Sequence, residues 1–91
     1  MRILDLTKRF SANRRIYAPH GSPEDTAMRR ELGRLASERS VLPLAGDEDA
    51  LRTPFFVIWA HPIPGTNLVL TYEVALPTVV VHDVRPAWRA V

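Results

Sequence analysis

The spacing of hydrophobic positions changes along this chain, from a helical period in its first half to strand-like alternation in its second. Met28, Leu32, Leu35 and Ala36 recur at helical spacing, while Arg29, Arg30, Arg34 and Glu38 lie elsewhere on the wheel. Just before them, Ser22 is an N-cap residue and Pro23 suits the first helical position, with Glu24 and Asp25 near the positive end of the dipole. These signals predict a helix from Pro23 to about Arg39. Asp25 with Arg29, and Arg34 with Glu38, are four-residue pairs worth about 0.3 kcal/mol each. Gly33 costs about 1 kcal/mol against alanine inside a helix, which points to close packing on the sheet, the favoured reading, or else to no selection at that position.

Three later runs are rich in branched and aromatic residues and read as strands: Phe55 to His61, Asn67 to Ala75, and Thr78 to Val84. Short connections, Pro62 to Thr66 and Leu76-Pro77, make an antiparallel meander the economical topology. In the middle run Leu68, Leu70, Tyr72, Val74 and Leu76 share one face, and Val69, Thr71, Glu73 and Ala75 the other. The first face is expected against the helix and the second open. A turn centred between Leu76 and Pro77 would set Tyr72 opposite Val81 and Thr71 opposite His82, bringing His82 to the open face with Glu73. Trp59 and Tyr72 are expected in the core.

Elsewhere the pattern is weaker. Arg2 to Thr7 reads as a first strand and runs into the basic stretch Lys8 to Arg15, to which periodicity assigns no element; Tyr17 to Ser22 reads as a loop. Gly46-Asp47-Glu48-Asp49 reads as a solvated turn before Leu51-Arg52-Thr53, since its carboxylates lack the spacing of a calcium loop. The fold class expected is α+β: an N-terminal strand, one main helix, and a C-terminal three-stranded meander in a single domain.

With 91 residues there is room for one core. At 46% hydrophobic and 24% charged, the composition is that of a globular protein. There is no cysteine, and no run approaches the length of a membrane span or carries the layout of an export signal. The expectation is therefore a cytoplasmic protein with no membrane partner. His20, His61 and His82 match no zinc spacing, and no glycine pattern for nucleotides or dinucleotides appears, so neither a metal nor a cofactor is expected. His61, beside Pro62, is expected at a turn. Eleven arginines with one lysine leave a net charge of only +2. Guanidinium forks suit phosphate and carboxylate, yet a solvated arginine-rich surface explains them as well.

The candidate chemistry lies on the open face. Glu73 and His82 could form an acid–base pair, with Arg85 at the strand end to steady a phosphate; a polar cross-strand contact accounts for the same two residues. Arg52, Trp88 and Arg89 complete the candidate binding surface.

Pro43-Leu44-Ala45-Gly46-Asp47, Leu70-Thr71-Tyr72-Glu73-Val74 and Val79-Val80-Val81-His82-Asp83-Val84-Arg85 resemble the connector, middle strand and arginine-ended last strand of the RelE/ParE toxin superfamily. The resemblance runs over roughly residues 23 to 89. It implies a toxin of a bacterial toxin–antitoxin pair, bound by an antitoxin and directed at the ribosome and its mRNA or at DNA gyrase. In ribonuclease members, which need no metal, strand basic residues and a tail aromatic or histidine do the chemistry. Arg85 matches the last-strand arginine here, and Trp88 stands in the place of a tail tyrosine without its hydroxyl. Val69 replaces a frequent arginine, and Ala87 a histidine found in some members. These departures fit a member that acts by binding better than one that cuts RNA. Two other readings are a non-enzymatic interaction module using the open sheet face or edge, and a small nucleic-acid binder.

Overall fold

Thr7 and Ser22 each begin a helix in the same way, their hydroxyl oxygens accepting the backbone N–H three residues on, from Phe10 and from Asp25, both at 3.1 Å. In the computed structural model, which describes residues 1–88, the first of these helices is α1 (Lys8–Tyr17) and the second α2 (Pro23–Ala36). They follow strand β1 (Ile3–Leu6) and precede β2 (Glu48–Arg52), β3 (Val57–Pro62), β4 (Leu68–Ala75) and β5 (Thr78–Pro86). The α+β class holds, with one helix and one strand more than the sequence pattern predicts.

α2 runs as expected from its serine cap and Pro23, but stops at Ala36, three residues short of Arg39, where Ser37 takes an extended conformation. Met28 and Leu35 are fully buried, with Ala27 and Leu32 packed beside them. Gly33 does not touch the sheet: it is exposed, and a Cβ built there would meet nothing within 4 Å. Arg34 pairs with Glu31 at 2.8 Å, while Glu38 pairs with the N-terminal amine rather than with Arg34.

The sheet has the order β1-β5-β4-β3-β2. β3, β4 and β5 form the expected meander, with Trp59 opposite Tyr72 and Tyr72 opposite Val81. β1 lies parallel to β5, Leu4 beside Val79 and Leu6 beside Val81. β2 occupies the other edge, antiparallel to β3 and bulged between Asp49 and Leu51. The acidic turn of the sequence reading is thus half strand, and Gly46 before it takes the positive φ of 87° that suits glycine.

One apolar cluster joins Phe10 of α1, Met28 and Leu35 of α2, Leu44 of the connector, and Leu70, Tyr72, Val79, Val81 and Val84 of the sheet. Full burial of an aliphatic or aromatic side chain of this size contributes about 1.5–3 kcal/mol. Tyr72 is fully buried and Trp59 packs partly buried against the same cluster. No helix among the described residues is long and apolar enough to cross a membrane.

Candidate functional site

The register of the meander settles which side chains share the face expected to be open, although Thr71 and Asp83 on it are each only 2% exposed and the face is open only in part. Ile58 pairs with Glu73 and Glu73 with Val80, one row across three strands. Between Tyr72, which pairs with Val81, and Thr71, which pairs with Asp83, β5 carries His82 as an extra residue. Thr71 therefore faces Asp83 rather than His82, as simple alternation would have it. A bulge of this kind bends the strand and re-aims its side chains. α1 holds the bulge in place, since the Thr7 hydroxyl donates to the His82 carbonyl at 2.7 Å and the Thr7 N–H to that of Val81 at 3.2 Å.

His82 Nε2 lies 3.1 Å from Glu73 Oε1, and the two side chains keep 34% and 28% of their surface in solvent. The pair is close enough to share a proton and open enough to meet a solute. It is the part of the expected acid–base site that comes together.

Arg85 does not join it. It stands opposite Val69, only 7% exposed, with NH1 3.9 Å from Asp83 Oδ2 and with no hydrogen-bond partner for Nε among the described residues. Asp83 is also buried, accepts from Asn13 Nδ2 at 2.6 Å, and lies 3.2 Å from Arg9 Nε. Burying a guanidinium costs several kcal/mol unless a carboxylate compensates it, and Asp83 does so by charge alone, with no hydrogen bond between them at 3.9 Å and with its Oδ2 making none among the described residues. Arg85 is therefore a covered partner of the α1–β5 junction and not a surface cation, contrary to expectation. Arg52 is displaced too. Because Leu51 shares the row of Ile58 and Glu73, Arg52 belongs to the opposite face, donating from Nε to Asp49 Oδ2 at 2.8 Å with its guanidinium 6.0 Å from the Trp59 ring centre. Trp88 is 75% exposed in the turn after β5, and Arg89 lies outside the described residues.

A second polar constellation was not legible as such. His61, expected in a turn, is inside β3 opposite Leu70 and 5% exposed. Its Nε2 lies 2.7 Å from Glu31 Oε1 and its Nδ1 2.6 Å from Asp47 Oδ1, with all three side chains 7% exposed or less. Asp47, expected in a solvated turn, also accepts a short hydrogen bond from the Tyr72 hydroxyl, which in turn accepts the Leu44 N–H at 3.1 Å. Each ring nitrogen of His61 thus has a carboxylate within hydrogen-bond reach. Burial, and then the bond to Asp47, push the Tyr72 hydroxyl well above its ordinary value. Enclosed on all sides, this chain of bonds ties α2, the connector, β3 and β4 together. One signal for it stands in the sequence: Glu31 falls on the apolar stripe of α2, between Met28 and Leu35, where a carboxylate must find a partner.

Comparison with protein-family models, with curated proteins and with solved structures finds no match to this chain. The site is read from its own chemistry. Among the described residues, no group of three or more histidine, aspartate or glutamate side chains is disposed to hold a metal ion.

Proposed function

We propose that this chain is a RelE/ParE-like toxin, or a protein derived from one, that acts on the ribosome or on DNA gyrase by binding rather than by cutting RNA. The observation that carries the second half of this reading is the burial of Arg85 against Asp83. Metal-independent RNA cleavage needs a base, an acid and a cation at the phosphate in one place. Glu73 and His82 offer the first two, but Arg85 is covered and Arg52 belongs to the opposite face. Val69 and Trp88 supply neither a charge nor a hydroxyl. The resemblance itself is supported by the order of the elements, an early strand, a helical segment, a connector and antiparallel strands. An antitoxin would be the partner of such a protein.

The test is inducible expression in a bacterium, following growth, pulse-labelled protein and DNA synthesis, and mRNA integrity. Growth arrest with intact mRNA is expected, and Glu73→Gln with His82→Ala should leave that arrest unchanged. Cleaved mRNA that becomes intact in the double variant would make the pair catalytic and overturn the binding reading.

A specific observation favours the interaction module as second reading. Exposed apolar side chains gather at one end of the sheet: Leu51 at the end of β2, Phe55 and Phe56 before β3, and Leu76 in the β4–β5 turn, with Phe55 92% and Leu76 59% exposed. Exposed apolar side chains brought to one end of a sheet suit protein contact. Unimpaired growth with folded protein present would favour this module over a toxin.

A further inference from the structure

Charge is divided unevenly along the chain. Residues 1–39 hold nine of the twelve basic residues and five of the ten acidic ones, a net +4, which leaves −2 for the remainder. The basic part carries both helices. Where α1 ends and α2 begins, this layer opens into a cleft of about 370 Å³ lined by Ser11, Arg14, Arg15, Ala18, His20 and Arg29.

At its base lies Asp25, whose side chain is 4% exposed. Its carboxylate accepts the Gly21 N–H at 3.1 Å, Arg14 NH2 at 3.0 Å, and Arg29 Nε at 3.0 and 3.1 Å. One buried acid thus fixes two guanidinium groups in place and spends only some of their donors; Nε and NH1 of Arg14 and NH1 of Arg29 make no hydrogen bond within the described residues. Arg15, exposed on the rim, forms no ion pair among the described residues. His20 stands at the mouth with its Nδ1 3.3 Å from Arg29 NH2. Three guanidinium groups against one carboxylate leave two positive charges in a cleft where Arg14 and Arg29 are already oriented. Preorganised forks of this kind suit the paired oxygens of phosphate, because little side-chain freedom is lost on binding.

We infer that the α1–α2 cleft is a phosphate-binding site, built on Asp25 and made by Arg14, Arg15, Arg29 and His20. The phosphate could be a free anion or belong to a nucleic-acid backbone, and the chemistry of recognition is the same. This inference does not rest on the toxin reading.

The experiment follows the arginine side-chain signals of the isotope-labelled whole chain by NMR, titrating inorganic phosphate in one arm and a short single-stranded RNA in the other. Saturable shifts at Arg14, Arg15 and Arg29 are expected, with Arg39 as the exposed control that stays still. Arg15→Ala, which breaks no ion pair and should keep its circular dichroism spectrum, is expected to weaken phosphate binding by roughly tenfold through loss of one charge-assisted contact. RNA binding that is tighter than phosphate and falls steeply with salt would identify the backbone as the source. RNA binding no tighter than phosphate would identify the free anion. Absent shifts, shifts shared equally with Arg39, or unchanged affinity in both Arg15→Ala and His20→Ala would overturn the site.

Discussion

Removing the His61 ring would take one buried partner each from Glu31 and Asp47, leaving Glu31 with Arg34 and Asp47 with the Tyr72 hydroxyl, where all three side chains of the group are 7% exposed or less. A buried polar group that loses a hydrogen-bond partner costs about 1–3 kcal/mol, so His61→Ala should lower the urea midpoint clearly in so small a domain. Tyr72→Phe removes only the hydroxyl that joins Asp47 to the Leu44 N–H, and should cost about 1–3 kcal/mol in the same measurement. Asp25 makes a prediction in pH. The Gly21 N–H and then Arg29 and Arg14 hold its carboxyl below its ordinary value, against the opposing effect of burial. A depressed value in the folded state means stability that is fully present above the ordinary carboxylate value and lost as pH falls through the folded one. Asp25→Asn should therefore melt lower than the parent at neutral pH, and the two melting curves should converge in strong acid. At this scale the sequence was only partly readable. Glu73 and His82 could be brought together from strand alternation alone, because both belong to a single hairpin. The surroundings of Asp83, the partner of Arg85, could not, because they include Asn13 and Arg9 on a helix far away in sequence.

Among the elements, α2 was legible because its start is written twice, in the Ser22 cap and in the stripe of Met28, Leu32 and Leu35. Replacing that cap in Ser22→Ala should cost about 1 kcal/mol. Gly33→Ala should do the opposite: the site is helical, exposed and unobstructed, and alanine should raise stability by about 0.5–1 kcal/mol, read as a higher melting temperature. α1 left no periodic trace because Phe10 is its one buried side chain and most of the rest is polar. Its cap at Thr7 was visible only in hindsight, since threonine before a basic stretch is common outside helices. β2 was hidden by its own chemistry. An edge strand made of Glu48, Asp49, Ala50, Leu51 and Arg52 lacks apolar alternation, and charge on an edge discourages pairing with other chains.

For the molecule as a whole, the division of charge separates two surfaces, a basic helical layer and a sheet face with a single acid–histidine pair. If both are used, they can be occupied together, so substitutions in the α1–α2 cleft should leave effects of Glu73→Gln unchanged when the variants are combined. The α+β class was legible because the meander is local in sequence; the parallel union of β1 with β5 was not, because no short-range signal encodes a partner so distant. That union sets an order in time. Thr7 donates to His82 across 75 residues, and β5 lies between β1 and β4. During synthesis β1 and both helices emerge long before the strand they must dock on. Until Thr78 to Val81 leave the ribosome, the apolar faces of Leu4, Phe10 and Met28 have no finished sheet to cover them. A nascent chain halted at the β4–β5 turn should bind chaperones and be cut readily by protease, whereas one extended beyond β5 should become resistant in a single late step.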